Sequence, residues 1–122
     1  MDARSTETVF VLDDDQGILE SFEAMLGDDY ALTMLNDGVN ALKLISEREP
    51  RLLFLDIKMP GISGIEILKE ISERRLSTQV VIVTALPQDH YETMALQFGV
   101  YRYLKKPLDV DEVEGITRAV LH

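Results

Sequence analysis

The chain contains no cysteine. Disulfide frameworks and thiolate metal sites are therefore excluded. No apolar run approaches the length of a membrane span. The first seven residues, Met1 to Glu7, are polar and lack the apolar stretch of a signal peptide. A cytoplasmic protein is the expected setting. Basic residues are in short supply: 12 Lys and Arg stand against 22 Asp and Glu, a formal net charge of −10. A surface this acidic repels phosphate backbones, which argues against direct nucleic-acid binding. Most of the surplus acid serves solubility; the acids of interest sit at strand ends.

The rest is an ordinary globular composition, 46% hydrophobic and 28% charged over 122 residues. That length supports one domain with a real core and is too short for two. Thr8-Val9-Phe10-Val11-Leu12 is an apolar run that ends at Asp13 and predicts a central strand buried on both faces. Tyr30 to Met34 predicts a second strand at an edge. Leu52 to Leu55 predicts a third, ending at Asp56. Val80 to Val83 is the strongest strand signal and ends at Thr84. Tyr101 to Leu104 predicts the last strand, before Lys105-Lys106-Pro107.

Between these runs lie helical stripes. They are Ile18, Leu19, Phe22, Met25 and Leu26; Ala41, Leu42 and Ile45; Ile65, Leu68 and Ile71; a segment around Tyr91 to Phe98; and Val110, Val113, Ile116 and Val120. Asp15, Asn36-Asp37-Gly38, Ser63 and Asp109 are capping or turn signals. Gly27, Pro50 and Gly99 are stops, and Met59-Pro60-Gly61 and Leu86-Pro87 are breaks. Five strand–helix units in alternation predict a parallel sheet covered on both faces, an α/β three-layer sandwich.

In a parallel sheet the carboxyl ends of the strands share one edge. Asp13, Asp14, Asp56, Thr84 and Lys106 all fall there. Each has an ordinary alternative: an Asp pair caps helices, Asp56 starts a turn, a strand-end Thr satisfies its own hydroxyl, and a Lys near a chain reversal is solvated. Together they describe different chemistry. Adjacent carboxylates call for a cation, and oxygen donors without His or Cys favour Mg²⁺ or Mn²⁺. A carboxylate beside such an ion can act as a nucleophile and form an acyl-phosphate. Lys106 can pair with Asp56 and then with a phosphoryl oxygen. Thr84 can donate to the same group, and small Ala85 leaves room for it.

The segments Leu12-Asp13-Asp14-Asp15, Leu55-Asp56-Ile57-Lys58-Met59-Pro60-Gly61, Val83-Thr84-Ala85 and Tyr103-Leu104-Lys105-Lys106-Pro107 together resemble the response-regulator receiver domain of two-component phosphorelays. The resemblance spans essentially the whole chain, with residues 1–7 as a polar tail and 8–122 as the receiver. It implies a flavodoxin-like (βα)5 fold with strand order 2-1-3-4-5. It implies Asp56 as phosphoacceptor, with Asp14, Asp56 and the backbone carbonyl of Lys58 on Mg²⁺ and Asp13 acting through water. The donor it implies is a phosphohistidine on a sensor histidine kinase or phosphotransfer protein. It also implies a switch: Thr84 moves toward the phosphoryl group and Tyr103 turns inward. The surface of the fourth helix, fifth strand and fifth helix then repacks for an output domain or partner, with a homodimer through the fourth- and fifth-helix face as one outcome. Without the family pattern, Tyr103 is simply a half-buried edge-strand aromatic. The resemblance implies a signalling domain that assists its own phosphorylation and dephosphorylation rather than an enzyme of turnover.

Lys58 and Leu86 flank the expected pocket at positions that vary in the family, and they are expected to tune phosphoryl lifetime. Ser63 stands where many relatives have Asp, and either caps the next helix. His90 is expected at the surface, and nothing assigns it or the terminal His122 a phosphohistidine role. Three other functions fit parts of the pattern. An FMN-binding electron carrier would share the fold, but Asp13-Asp14-Asp15 would repel the FMN phosphate. A Mg²⁺-dependent phosphatase with an Asp nucleophile usually wants an acid where Lys58 stands. A degenerate receiver used only for docking would not need the full acidic, Thr and Lys set. The chain ends at the fifth helix, so any output domain is expected outside it.

Overall fold

The computed structural model describes residues 5–59, 61–85 and 88–122, with side chains described from residue 8 and not for residues 88–90. Ten elements alternate strictly: β1 (Ser5–Leu12), α1 (Gln16–Leu26), β2 (Tyr30–Leu35), α2 (Gly38–Arg48), β3 (Leu52–Leu55), α3 (Gly64–Glu73), β4 (Gln79–Thr84), α4 (Gln88–Gln97), β5 (Arg102–Lys105) and α5 (Val110–Leu121). The five strands form one parallel sheet in the order β2-β1-β3-β4-β5. This is the expected α/β flavodoxin-like sandwich.

Strand alternation divides the core. Phe10, Leu12, Leu53, Leu55, Val80 and Ile82 point to the face covered by α2, α3 and α4. Val9, Val11, Leu52, Phe54, Val81 and Val83 point to the face covered by α1 and α5, where the Phe22 and Phe54 rings lie 4.8 Å apart. Both faces of the central strands are dry, which is why their sequences are continuous apolar runs rather than alternating ones.

The predicted caps are used. Asp15, Asp37, Ser63 and Asp109 each accept a backbone N–H of the first helical turn through a side-chain oxygen. Strands β2, β4 and β5 differ from the expected runs by one residue at an end, and two boundaries differ by three. β1 begins at Ser5 rather than Thr8, with an irregularity between Ser5 and Thr8 where it pairs with β2. Backbone pairing at an edge needs no apolar side chains, so the run Thr8 to Leu12 marks only the buried part. α4 begins at Gln88, ahead of the segment predicted from Tyr91. Residues 1–4, Pro60 and the Leu86-Pro87 break lie outside the described residues, as does the side chain of His90.

Candidate functional site

The backbone ladder carries the key residues to the sheet edge. Asp13 N–H donates to Leu35 O at 3.1 Å, and Asp56 N–H donates to Leu12 O at 3.0 Å. Lys106 N–H donates to Thr84 O at 2.8 Å. Each is thus one residue past a strand and still tied to the neighbouring one. Their side chains emerge at a common rim.

There Asp13, Asp14 and Asp56 each offer a carboxylate oxygen, all within 4.8 Å of one another. Asp13 and Asp56 are buried and Asp14 is exposed. The Lys106 ammonium lies 2.9 Å from Asp13 Oδ2 and 3.6 Å from Asp56 Oδ2. Lys106 therefore bonds first to Asp13 and reaches Asp56 second. The other Asp13 oxygen accepts the Asp15 N–H at 2.9 Å. With both oxygens engaged, Asp13 is held in place.

The electrostatics are unbalanced. Burial pushes the Asp56 carboxyl up to about 6, and the charge of Asp13 adds to the shift. Lys106 and the Ile57 N–H oppose it, and Asp14 raises it further. For Lys106, burial works against the charged form. The hydrogen bond and charge of Asp13, then the charges of Asp56 and Asp15, outweigh that and hold the ammonium above the ordinary lysine range. Three acids face one ammonium. Clustered hard oxygens with no His or Cys suit a small divalent cation, and a cation there would relieve the repulsion that raises Asp56. The residues fit Mg²⁺.

Thr84 closes β4 at the same edge and is fully buried. Lys58 is exposed on the loop after Asp56. It borders a groove of about 500 Å³ with Ile57, Met59, Ser63, Ile65, Glu66, Tyr91 and Met94. Tyr103 on β5 is half-buried against the α4-side core. Its hydroxyl is buried, and among the described residues it has no hydrogen-bond partner. Burial, then the charges of Glu92 and Tyr91, push its ionisation up. Lys105 is exposed. His122 sits against Tyr30, with the two side chains 3.2 Å apart at Nε2 and the hydroxyl, far from the acidic rim in the fold. Leu86 lies outside the described residues.

Two features were not read from the sequence. One is the primary partnership of Lys106 with Asp13. The other is Gly64, the first residue of α3, which packs directly against the backbone of Asp56. A glycine beside a helix cap has many uses, and nothing local marks this one.

Comparison with known proteins agrees with this geometry. The family model described as the response regulator receiver domain matches residues 9–118. The chain is 36% identical over 116 residues to the DNA-binding transcriptional regulator NtrC of Escherichia coli K12, covering 93% of this chain and 25% of that protein. It is 28% identical over 114 residues to the alkaline phosphatase synthesis transcriptional regulatory protein PhoP of Bacillus subtilis, covering 93% of this chain and 48% of that one. The chain thus spans about a quarter to a half of the length of these relatives. Among solved structures, the signal receiver domain of an HD domain-containing protein from Pseudomonas fluorescens Pf-5 superposes with a TM-score of 0.87 at 28% identity, covering 99% of this chain and 89% of that one. The BeF3-activated DrrB receiver domain superposes with a TM-score of 0.85 at 26% identity, covering 96% and 98%. Electron-carrier and phosphatase functions give way to this match, and the chain belongs to the response-regulator receiver domain family.

Proposed function

We propose that this domain accepts a phosphoryl group on Asp56 from the phosphohistidine of a sensor histidine kinase or phosphotransfer protein, in a reaction supported by Mg²⁺ or Mn²⁺. The observation that carries the proposal is the convergence of three carboxylate oxygens within 4.8 Å beside the Lys106 ammonium. When bound, the divalent ion supplies positive charge that offsets repulsion between Asp56 and the incoming phosphate. Asp14, Asp56 and the Lys58 carbonyl would hold it, and Asp13 would act through water.

An Asp56 carboxylate oxygen bonds to phosphorus as the phosphorus–nitrogen bond of the donor breaks. The imidazole nitrogen keeps the electron pair and takes up a solvent proton. In dephosphorylation, water attacks phosphorus, the phosphorus–oxygen bond to Asp56 breaks, and the carboxylate and inorganic phosphate are released. Lys106 transfers part of its pairing from the carboxylates to a phosphoryl oxygen. Thr84 donates its hydroxyl to another, and Tyr103 follows into the space vacated. The local change in charge then biases the α4–β5–α5 surface between two packings. That surface would address an output domain, a partner or a second copy of the domain. The setting we propose is the cytoplasm; among the described residues no helix is long and apolar enough to cross a membrane.

Incubation with acetyl phosphate, with and without Mg²⁺, followed by intact mass, tests this. One Mg²⁺-dependent phosphoryl adduct is expected, absent from Asp56→Asn. An adduct that persists in Asp56→Asn, or a folded, Mg²⁺-loaded protein that stays unmodified, contradicts it.

A further inference from the structure

Gly64 opens α3 directly behind the site, and its missing side chain is occupied space. A Cβ built there would lie 2.1 Å from the backbone oxygen of Asp56, 2.8 Å from Ile57 Cα and 2.9 Å from the Asp56 carbonyl carbon. All three neighbours are backbone atoms, so none can rotate away. Gly38 offers the contrast: a Cβ there first meets a side-chain methyl, Ile62 Cγ2 at 2.2 Å, with the nearest backbone atom, Ile62 O, at 3.3 Å. Gly64 also joins the two segments, since its N–H donates to Ile57 O at 2.8 Å. On its other side Asp56 is held by its own N–H, which donates to Leu12 O at 3.0 Å. Asp56 and Ile57 are thus pressed between β1 and the first turn of α3.

We propose that Gly64 is a positioning residue for the phosphoacceptor: the absence of its Cβ lets α3 seat against the Asp56 carbonyl and sets where the Asp56 carboxylate and the following chain to Lys58 stand relative to Asp13 and Asp14. The inference rests on Asp56 being the acceptor beside a metal. A methyl group at residue 64 must open a 2.1 Å approach to an ordinary contact of about 3.4 Å. The segment that yields is the one carrying Asp56, Ile57 and Lys58. Displacement of that order in a metal or reaction site costs about tenfold to a hundredfold. Helix propensity does not confound the change, because Ala is the better helix former.

The test is Gly64→Ala, made in the wild-type chain and in a Gly115→Ala background. Residue 115 is exposed on α5, nothing lies within 4 Å of a Cβ there, and Ala at that helical position adds stability. Mg²⁺ affinity is read by calorimetry and adduct formation with acetyl phosphate by intact mass, beside the melting temperature. The expected result is a folded Gly64→Ala protein whose Mg²⁺ affinity and phosphorylation rate each fall by at least about tenfold. Ser63→Ala removes the α3 cap, in which Ser63 Oγ accepts the Glu66 N–H at 3.3 Å. It is expected to lower the melting temperature and leave Mg²⁺ affinity unchanged. A folded Gly64→Ala protein with wild-type affinity and rate overturns the inference. Failure to fold in both backgrounds overturns it too, since Gly64 would then serve the fold rather than the site. A wild-type protein that neither binds Mg²⁺ nor takes phosphate refutes Asp56 as acceptor, and the inference falls with it.

Discussion

Helices α3 and α4 are neighbours on the same face of the sheet, and they are held very differently. α3 buries Gly64, Ile65, Ile67, Leu68 and Ile71, five positions at helical spacing. Among its described side chains, α4 fully buries only Ala95 and leaves Met94 and Leu96 exposed. The same contrast runs along the carboxyl edge. On the α3 side, Asp13 and Asp56 are pinned by backbone hydrogen bonds and by Lys106. On the α4 side, Tyr103 keeps a buried hydroxyl with no partner among the described residues. One half of the edge is built to stay in place and collect charge. The other is packed more lightly among its described side chains, as the proposed switch would need.

The first way to break this comparison is at the charged half. Asp56→Asn should abolish the Mg²⁺-dependent adduct, while Lys106→Ala keeps some adduct and loses the conformational response. Intact mass and a structural probe such as near-ultraviolet dichroism would separate the two. Equal loss of adduct in both variants would show that Lys106 serves chemistry rather than coupling.

The second is packing. Leu68→Ala in α3 should cost about 2–5 kcal/mol, because it removes a fully buried side chain from a tight core. Met94→Ala in α4 should change stability by less than about 0.5 kcal/mol. Denaturant midpoints would check this, and comparable losses at both positions would erase the distinction between the helices.

The third is charge without metal. Asp56 holds its proton more tightly in the folded chain, with its carboxyl pushed from 3.8 to about 6. Between those values the folded state binds more protons than the unfolded one, so the stability contributed by this residue falls as pH rises. Below 3.8 the penalty is absent, and above about 6 it is complete. In EDTA at neutral pH, Asp56→Asn should therefore be more stable than wild type by roughly 3 kcal/mol. The gap should close toward acid pH and also on adding Mg²⁺, which stabilises only the wild type. A destabilised Asn variant in EDTA would count against the crowded-acid description.

The fourth and smallest effect is at the responsive half. Tyr103→Phe removes a buried hydroxyl that has no hydrogen-bond partner among the described residues, so it should be neutral or stabilising by up to about 1 kcal/mol. A loss of stability in thermal unfolding would mean that the hydroxyl has a partner in solution.

Much of this arrangement was legible in the chain. The apolar runs that stop at Asp13, Asp56 and Thr84 reveal both the strands and the edge where they end, because a parallel strand buried on both faces reads as a near-continuous hydrophobic run. Asp15, Ser63 and Asp109 announced their helices through capping chemistry that depends only on local spacing. What was not legible depends on distances between elements. The preference of Lys106 for Asp13 over Asp56 depends on how its side chain crosses the rim, since the strand order alone puts Asp56 nearer. The role of Gly64 comes from how closely α3 approaches β3. The true start of α4 was hidden because a helix with one deeply buried side chain among those described has almost no apolar stripe to read.

Amide hydrogen exchange, before and after acetyl phosphate with Mg²⁺, tests the central claim most directly: a fixed charged half drives a loosely held one. Protection should change in α4 and β5 and stay constant in α3 and β3. Exchange that shifts equally in α3, or a fully phosphorylated protein with no change in α4, would contradict it.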